Sequence, residues 1–332
     1  MAEKEIVLSG IRPTGNLHLG NYFGAVKNFI KMQHDTNAYF FIADYHSLTT
    51  HPTPGDLHGN VKQVLAEYLA TGLDPELATI YVQSDLPETA ELYLLLNMNA
   101  YIGELERTTS FKDKVRKQPE NVNAGLLTYP VLMAADILIH KAKKVPVGKD
   151  QEQNLEMARK FAKRFNRIYN VEYFDEPIPY NFGEELVKVP GLDGSGKMGK
   201  SEGNGLYLID DEKTIRKKVM KAKTDAGPTE PNSEKPQEIV NLFTLANIVS
   251  KPETVKFFNE AYSDCSIRYG DFKKQLAEDI VQFTMPIRER ILSISADDAY
   301  LSKVVKMGAE KARESAVKTL KEVREIIGFR HF

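Results

Sequence analysis

The segment EIVLSGIRPTGNLHLGN, residues 5–21, contains an apolar run, a loop with two glycines and the start of a helical pattern. The run at 5–11 is typical of a buried strand, whereas from Leu19 onward apolar residues recur at spacings of three and four, which predicts a helix. Alternation of strand and helix characterises folds with a parallel sheet. The loop at 12–21 is therefore expected at the carboxyl end of the first strand.

The same unit recurs through the first half of the chain. Apolar runs at 38–44, 78–84 and 143–148 predict three further strands, and helical segments follow each of them. The helix after 38–44 is expected to end at Gly72, because glycine readily adopts the left-handed conformation found at helix C-termini. Strands that alternate with helices in this way predict an α/β fold with a doubly wound parallel sheet.

The pattern changes after the glycine-rich segment at 191–205. Residues 211–330 show helical periodicity and many charges but no strand-like run, which predicts a second, helical domain. The boundary is placed between residues 205 and 206. The segment AGPTEPNSEKP at 226–236 is rich in turn-forming residues and is expected to form a loop inside the helical domain.

Composition narrows the class of protein. With 44 basic and 46 acidic residues the formal net charge is -2, so any site for a polyanion has to be local. One cysteine, Cys265, permits neither an intrachain disulfide nor a cysteine-cluster metal site, which suits a reducing compartment. No secretion signal and no run of about 20 apolar residues is present, so we expect a soluble, cytoplasmic protein.

Two loops have the composition of phosphate-binding sites. The loop at 12–21 leads from a strand into a helix, where free backbone N–H groups and the helix dipole favour an anion. It fits neither the Walker motif nor the glycine fingerprint of dinucleotide binders. In GLDGSGKMGKSEGNG, residues 191–205, Lys197 and Lys200 stand three apart among glycines, so both ammonium groups can reach one polyphosphate.

Each loop also has a simpler interpretation. The first is compatible with a tight turn in which an asparagine caps the helix. The second is compatible with a solvated, flexible linker between domains. The occurrence of both loops in one chain favours a shared phosphate site.

Four segments resemble class I aminoacyl-tRNA synthetases. HLGN at 18–21 and KMGKS at 197–201 are similar to the two signatures of that class, whose consensus forms are HIGH and KMSKS. GLLTYPVLMAADIL at 125–138 and VPVGKDQEQ at 145–153 resemble the bacterial-type tryptophanyl-tRNA synthetase family in particular. The segments occur in the family's order, and the similarity extends over essentially the whole chain.

The resemblance implies a Rossmann-like catalytic domain at 1–205, with a helical insertion, and a helical anticodon-binding domain at 206–332. It implies that L-tryptophan and ATP form tryptophanyl-AMP and pyrophosphate, and that tryptophan then passes to the 3′-terminal adenosine of tRNA(Trp). It also implies a homodimer, with no role for DNA or a membrane. Mg2+ is expected to be held mainly by the ATP phosphates, and one cysteine cannot form the four-cysteine iron–sulfur site of some relatives.

By resemblance, the ATP site combines the two signature loops with the segment after the fourth strand. Catalysis would consist of positioning and cationic stabilisation without a protein nucleophile. The residues assigned to ATP are Arg12, Pro13, Thr14, Gly20, Asn21, Gly148, Lys149, Asp150, Val189, Lys197, Met198, Gly199, Lys200 and Ser201. Those with a catalytic role are His18, Asn21, Lys197, Lys200 and Ser201. Gly199 departs from the consensus, where a serine stands, so a hydroxyl donor is absent and backbone freedom is gained.

A tryptophan pocket needs one hydrogen-bond acceptor for the indole N–H and apolar walls elsewhere. Asp136 fits the acceptor, and Met133, three residues earlier on a predicted helix, can meet the edge of an aromatic ring. The alternative for Asp136 is an ion pair with a lysine such as Lys143. By resemblance, Tyr129 and Gln151 meet the amino acid's ammonium or carboxylate. The full set assigned to the pocket is Asp136, Met133, Tyr129, Gln151, His46, Leu8, Val145 and Val147.

Other functions fit parts of the sequence. A tyrosyl-tRNA synthetase shares the class and the fold, and a nucleotidyltransferase can have a similar first loop. A non-catalytic paralogue would bind tRNA or tryptophan without activating the amino acid. Basic runs at 213–223 and 159–167 suit either contact with tRNA phosphates or a solvated helix surface.

Overall fold

The computed structural model describes residues 4–148, 152–180, 188–200 and 202–330. A five-stranded sheet forms its centre, and all neighbouring strands in it are parallel. The strands are β1 (Ile6–Ile11), β2 (Asn37–Ile42), β3 (Thr79–Val82), β4 (Lys144–Val145) and β5 (Ile178–Pro179). Their order across the sheet is β3-β2-β1-β4-β5. The predicted Rossmann-like, doubly wound parallel sheet is thereby confirmed.

Helices cover both faces of this sheet and make up the C-terminal part of the chain. They are α1 (Leu19–Asn21), α2 (Lys27–Asp35), α3 (Asp44–Ser47), α4 (Pro54–Thr71), α5 (Pro87–Asn97), α6 (Ile102–Leu105), α7 (Thr109–Lys117), α8 (Ala124–Ile139), α9 (Glu152–Tyr169), α10 (Glu212–Met220), α11 (Gln237–Val249), α12 (Pro252–Ser263), α13 (Tyr269–Ser295) and α14 (Asp298–Ile327). Over the residues that the structure describes, none of these helices combines the length and the apolar character needed to span a membrane.

The strands predicted from the sequence are all present, with small differences at their ends. The largest difference is at 143–148, where β4 keeps only two residues. The sequence does not predict β5, because Ile178 and Pro179 are exposed and pair only with β4. The predicted helix end at Gly72 is confirmed, since this glycine caps α4 with a φ of 116°.

The helix predicted from Leu19 onward is present but changes its winding. After α1 the chain forms a π-helical segment at Tyr22–Val26 before continuing as α2. The rings of Tyr22 and Phe23, adjacent in sequence, both pack against Phe283 of α13, with centroid distances of 5.4 and 5.2 Å. The wider winding therefore lets two consecutive aromatic side chains contact the helical part of the protein.

Alternate residues of the central strands pack into two apolar layers, one on each face of the sheet. Val7 and Phe40 join a cluster that includes side chains of α2, α4 and α11–α13. Leu8, Phe41 and Tyr81 join a second cluster with α5, α8, α9 and α14. A parallel sheet covered on both faces leaves only its strand ends open to ligands.

The C-terminal helices pack directly on the sheet-containing part of the chain. α13 lies against α4, and α14 lies against α5 and β3. A Cβ atom added at Gly308 of α14 would lie 1.8 Å from the carbonyl oxygen of Ile80, so this close contact requires glycine. As predicted, the described residues between 211 and 330 contain no strand. The boundary between residues 205 and 206 stays a prediction.

Candidate active site

A cleft of about 340 Å³ opens at the carboxyl ends of β1 and β4. The chain leaves β1 towards β2 on one side and reaches β4 on the other, so the strand order reverses here. Open parallel sheets bind ligands at such a point. Residues predicted to form the amino-acid pocket line this cleft, namely Leu8, His46, Tyr129, Met133, Asp136, Val145 and Val147. The remaining member of that set, Gln151, lies outside the described residues.

Asp136 on α8 is the buried acid of the cleft, with 3% of its surface exposed. Its Oδ2 lies 2.8 Å from Nε2 of His46, and its Oδ1 accepts a hydrogen bond of 2.7 Å from Nε2 of Gln83. Burial raises the pKa of Asp136, and both of these partners oppose the rise. The alternative pairing with Lys143 is wrong, because the Lys143 ammonium lies 3.3 Å from Asp175. Each Asp136 oxygen has a second lone pair, so the carboxylate can still accept an N–H from a ligand.

The two partners of Asp136 come from the carboxyl ends of neighbouring strands. His46, predicted only as a wall, lies on α3 just after β2, and Gln83 directly follows β3. Gln83 is not among the residues predicted from the sequence. Its position in the sequence could have indicated a role in the site, because a polar side chain at the end of a parallel strand lies at the ligand-binding edge of the sheet. The hydrogen bonds fix the orientation of the Asp136 carboxylate and so preorganise the acceptor.

Lys114 on α7 is a second cleft residue that is not among those predicted from the sequence. Its Nζ lies 3.4 Å from the centre of the Tyr129 ring, and that ring packs edge-on against His46 at 4.4 Å. Nζ is buried and makes no hydrogen bond to any of the described residues. Burial, with a smaller effect from Arg12, lowers the pKa of Lys114 to about 8. A buried ammonium beside a cleft is a candidate partner for an anionic ligand.

His18 and Asn21 form a reciprocal cap at the start of α1. Nδ1 of His18 accepts a hydrogen bond of 3.2 Å from the Asn21 backbone N–H, and the Asn21 side-chain oxygen accepts one of 3.1 Å from the His18 backbone N–H. Burial, together with the charges of Lys200 and Lys197, lowers the pKa of His18 to about 4. The ring is therefore neutral at pH 7. Because Nδ1 is an acceptor, the ring proton lies on Nε2, and His18 is a neutral hydrogen-bond donor.

Asn204 organises the lysine loop, which we define as residues 191–205. Its side-chain oxygen accepts a hydrogen bond of 2.9 Å from the Gly199 backbone N–H. Its side-chain nitrogen donates to Asp193 at 3.0 Å and to the Lys197 carbonyl oxygen at 3.2 Å. The described part of the loop thus has a defined conformation, which a flexible linker would not require.

Lys200 joins the lysine loop to the first loop. Its Nζ donates a hydrogen bond of 2.6 Å to the Gly15 carbonyl oxygen and lies 3.5 Å from Oγ1 of Thr14. Burial lowers the pKa of Lys200 to about 8, an effect that Glu67 opposes and Arg12 strengthens. The two loops predicted from their composition therefore meet in space, beside a concentration of positive charge.

The other residues assigned to ATP lie in and around these loops. Arg12 lines the cleft, and the Val189 carbonyl oxygen accepts a hydrogen bond of 2.9 Å from the Met198 N–H. A Cβ atom at Gly20 would lie 2.8 Å from the His18 ring, so the turn into α1 requires glycine. Pro13 and Met198 are buried, Gly148 and Gly199 are half-buried, and Thr14 and Lys197 are exposed. Lys149, Asp150 and Ser201 lie outside the described residues.

Comparison with known proteins first gives the class. The family model described as tRNA synthetases class I (W and Y) matches residues 2–284, and the chain belongs to this family. A nucleotidyltransferase of another class is thereby excluded.

Individual relatives carry a more specific name. Tryptophan–tRNA ligase of Porphyromonas gingivalis is 70% identical over 98% of this chain and 100% of its own length. The crystal structure of tryptophanyl-tRNA synthetase from Campylobacter jejuni complexed with ADP and tryptophan has a TM-score of 0.88 at 36% identity, covering 98% of this chain and 100% of that one. Tyrosyl-tRNA synthetase from Archaeoglobus fulgidus, at 19% identity and a TM-score of 0.66, covers 88% of this chain and 91% of that one and shares the fold alone.

Proposed function

We infer that this protein is a tryptophan–tRNA ligase, which activates tryptophan with ATP and transfers it to tRNA(Trp). The observation that carries this conclusion is the buried, preorganised carboxylate of Asp136 in a largely apolar cleft. Indole has one polar group, an N–H donor, and this carboxylate is an acceptor suited to it. The 70% identity with a tryptophan–tRNA ligase over the full length supports the same conclusion.

In the first step, a carboxylate oxygen of tryptophan attacks the α-phosphorus of ATP, and the bond to the pyrophosphate oxygen breaks. Negative charge is distributed over the phosphate oxygens, so the protein contributes positioning and positive charge. We assign Lys197, Lys200 and Ser201 to the triphosphate. Lys114 is suited to the same negative charge because its buried ammonium lies beside the cleft. His18 would donate from Nε2 as a neutral imidazole.

In the second step, a hydroxyl group of the terminal ribose of tRNA attacks the carbonyl carbon of tryptophanyl-AMP, and AMP leaves. The adenylate links the two substrate sites, because its indole end requires Asp136 and its phosphate end requires the two loops. The proximity of Arg12 to both the cleft and the Lys200 ammonium supports this arrangement. Most of the rate enhancement would then come from orientation within one connected site.

The experiment that tests this function is amino-acid-dependent exchange of labelled pyrophosphate into ATP, with tryptophan, tyrosine, phenylalanine or no amino acid. Exchange that requires tryptophan is the expected result. Phenylalanine should fail because it offers no donor to the remaining lone pairs of the buried Asp136 carboxylate, and tyrosine because its hydroxyl group does not take the place of the indole N–H. Exchange with tyrosine would instead indicate a tyrosyl-tRNA synthetase. A protein that binds tryptophan but supports no exchange would be a non-catalytic paralogue.

We expect Gly199→Ser to keep the exchange rate within about three-fold of the unmodified protein. A Cβ atom at this position would meet only Cγ of Glu202, at 3.4 Å, and the backbone N–H that bonds to Asn204 is retained. Steady-state exchange kinetics with tryptophan check this. The matched variant Gly20→Ala should lose activity, because its Cβ would lie 2.8 Å from the His18 ring. A more than ten-fold gain in Gly199→Ser would mean that the missing hydroxyl limits the natural protein.

We propose that Mg2+ enters this site with ATP. Among the residues that the structure describes, no group of three or more His, Cys, Asp or Glu side chains is placed to hold a metal ion. Mg2+ commonly binds through substrate phosphates with few protein ligands. The ion would therefore be held by the triphosphate and would supply additional positive charge there.

Only some residues of the basic runs at 213–223 and 159–167 are good candidates for tRNA contact, because others form ion pairs within the protein. Arg216 bonds to Glu278 at 2.7 Å and Lys218 to Asp210 at 2.6 Å, so both are engaged within the protein. In the second run, Arg164 is buried and bonds to Glu104 at 2.6 Å. We propose that tRNA phosphates contact the exposed members of the first run, which are Lys213, Lys217, Lys221 and Lys223. On this proposal the enzyme works in the cytoplasm, where translation uses charged tRNA.

We propose that two copies associate through an apolar surface formed by Leu94, Met98, Tyr101 and Ile102. The exposed fractions of these side chains are 52, 73, 58 and 63%. Leu94 lies on α5, Met98 directly follows the last residue of that helix, and Tyr101 and Ile102 come shortly after it. Large exposed apolar side chains close together in the chain are typical of a protein interface.

We expect the unmodified protein to sediment as a dimer and Ile102→Glu to sediment as a monomer, because a charge in the apolar surface would be buried without a partner. Analytical ultracentrifugation over a range of concentrations measures this. Phe257→Glu is the control, since Phe257 is equally exposed, at 62%, but lies on α12. A monomeric natural protein would contradict the homodimer, and a dimer that tolerates Ile102→Glu would place the interface elsewhere.

A further inference from the structure

Glu67 on α4 is a buried acid outside the cleft. It has 0% exposure, although it is a carboxylic acid in the middle of an apolar helix face. Its Oε2 accepts a hydrogen bond of 2.8 Å from the Leu17 backbone N–H, and its Oε1 accepts one of 3.0 Å from Nε2 of Gln63. Burial raises the pKa of Glu67 to about 7.

Burying an acid at this position has a cost in stability. A buried carboxylate that contacts only neutral donors is costly compared with an apolar side chain of the same size. The residues next to it on α4, Ala66 and Tyr68, are buried and belong to the apolar core. The role of Glu67 therefore has to be sought in what it binds, which is the backbone of the first loop.

Leu17 lies in the middle of that loop, directly before His18. Its carbonyl oxygen accepts a hydrogen bond of 2.9 Å from the Leu208 N–H, and the Leu19 N–H donates one of 2.9 Å to the Leu206 carbonyl oxygen. These two bonds tie one side of the segment to residues 206–208. Glu67 ties Leu17 to α4, so the segment is held between two elements that are distant in sequence.

The same loop provides the docking point of Lys200. The Gly15 carbonyl oxygen, two residues before Leu17, accepts the 2.6 Å hydrogen bond from the Lys200 ammonium. Lys200 and Glu67 also act on each other, because Lys200 lowers the pKa of Glu67 and Glu67 raises that of Lys200. The buried carboxylate thus supports both the path of the first loop and the placement of Lys200, which belongs to the lysine loop.

We propose that Glu67 is a positioning residue for the ATP-dependent step, acting through its hydrogen bond to the Leu17 amide. This inference rests on the function proposed above. By accepting a hydrogen bond from that N–H, Glu67 fixes the distance between the first loop and α4. It thereby fixes the position of the His18 ring and of the Gly15 carbonyl oxygen that accepts from Lys200. An apolar residue in its place would leave a buried N–H without a partner, and the loop would shift to satisfy it.

The test compares variants that keep and remove the acceptor. Glu67→Met and Glu67→Leu remove it with similar volume, and Glu67→Gln keeps it because the amide oxygen can accept from Leu17. In pyrophosphate exchange we expect the ATP KM to rise roughly ten-fold for the first two, with the tryptophan KM within about two-fold. Glu67→Gln should lie within about three-fold of the natural protein. Thr71→Val, which removes a buried hydroxyl one turn along the same helix, should change neither KM.

A purely structural role predicts a different result. In that case the apolar variants would raise both KM values equally, or leave exchange unchanged, and Glu67→Gln would not differ from them. Any of these outcomes would overturn the proposal. Calorimetric titration of each variant with ATP adds a readout that does not depend on turnover. If the natural protein binds ATP but exchanges with no amino acid, the proposed function fails, whereas unchanged ATP affinity in Glu67→Met and Glu67→Leu contradicts only the role of Glu67.

Discussion

Replacing Asp136 by Ala should raise the tryptophan KM roughly one hundred-fold and leave the ATP KM within about three-fold of the natural value. The indole N–H would lose its acceptor in a cleft where water cannot replace it well. His46 and Gln83 would also lose their common partner, which adds disorder at the same end of the pocket. The measurement is pyrophosphate exchange at varied tryptophan and at varied ATP.

Selectivity should fall together with affinity in this variant. The ratio of kcat/KM for tryptophan over phenylalanine is expected to shrink, because the variant lacks the buried carboxylate that disfavours a ring without an N–H donor. Asp44→Asn is the matched control: Asp44 is also a buried acid but lies outside the cleft lining, and an amide oxygen can keep its bonds to the Tyr45 and Ser84 N–H groups. Equal increases in both KM values for Asp136→Ala would contradict the assignment of Asp136 as the acceptor for the indole N–H.

Lys200→Met should reduce the kcat of exchange by roughly 100- to 1000-fold, with a smaller change in the tryptophan KM. The ammonium is assigned to charge that develops on the phosphates, and a preorganised group of this kind contributes mainly in the transition state. Exchange kinetics at saturating ATP measure the effect. Lys274→Met on α13 serves as a control that removes an exposed lysine far along the sequence. A normal kcat in Lys200→Met would contradict the assignment.

The pH dependence of the natural protein gives an independent check on Lys200. The pKa values of Lys200 and Lys114 are lowered to about 8, so both side chains are charged below that pH and lose their charge above it. The kcat/KM for ATP reports on the free enzyme and should therefore fall as the pH rises through 8. In Lys200→Met the decrease should be less steep, because only Lys114 would still titrate there. If kcat/KM for ATP in the natural protein stays constant as the pH rises through 8, neither charge is needed for ATP capture.

The sequence predicts those strands of the fold that consist of continuous runs of apolar residues. The segments at 5–11, 38–44 and 78–84 become β1, β2 and β3 because they are buried on both faces of a parallel sheet. β5 is different, since its two exposed residues are a strand only because β4 lies beside them. Pairing of that kind is a tertiary property without a local pattern.

In the candidate site, too, some residues could be predicted from their chemistry, whereas others depend on contacts with residues that are distant in the sequence. Asp136 could be predicted because indole requires an acceptor, but its partners Gln83 and His46 stand 53 and 90 residues away. Lys114 lies in FKDKVRK, which is typical of a solvated helix, and its burial depends on Tyr129 of another helix. Glu67 has the appearance of an ordinary acid on an amphipathic helix. Residues whose role depends on a distant backbone atom or ring leave no periodic signal.

The contact between Gly308 and Ile80 has a consequence for how the protein is made. In the described sheet β3 is an edge strand, and α14, which comes much later in the chain, packs against it. β3 therefore stays uncovered until α14 has been synthesised, and the growing polypeptide exposes this apolar strand until then. Such surfaces promote aggregation. A chain that stops ahead of α14 would still contain every residue of the cleft, but we expect chaperones to retain it and proteases to remove it.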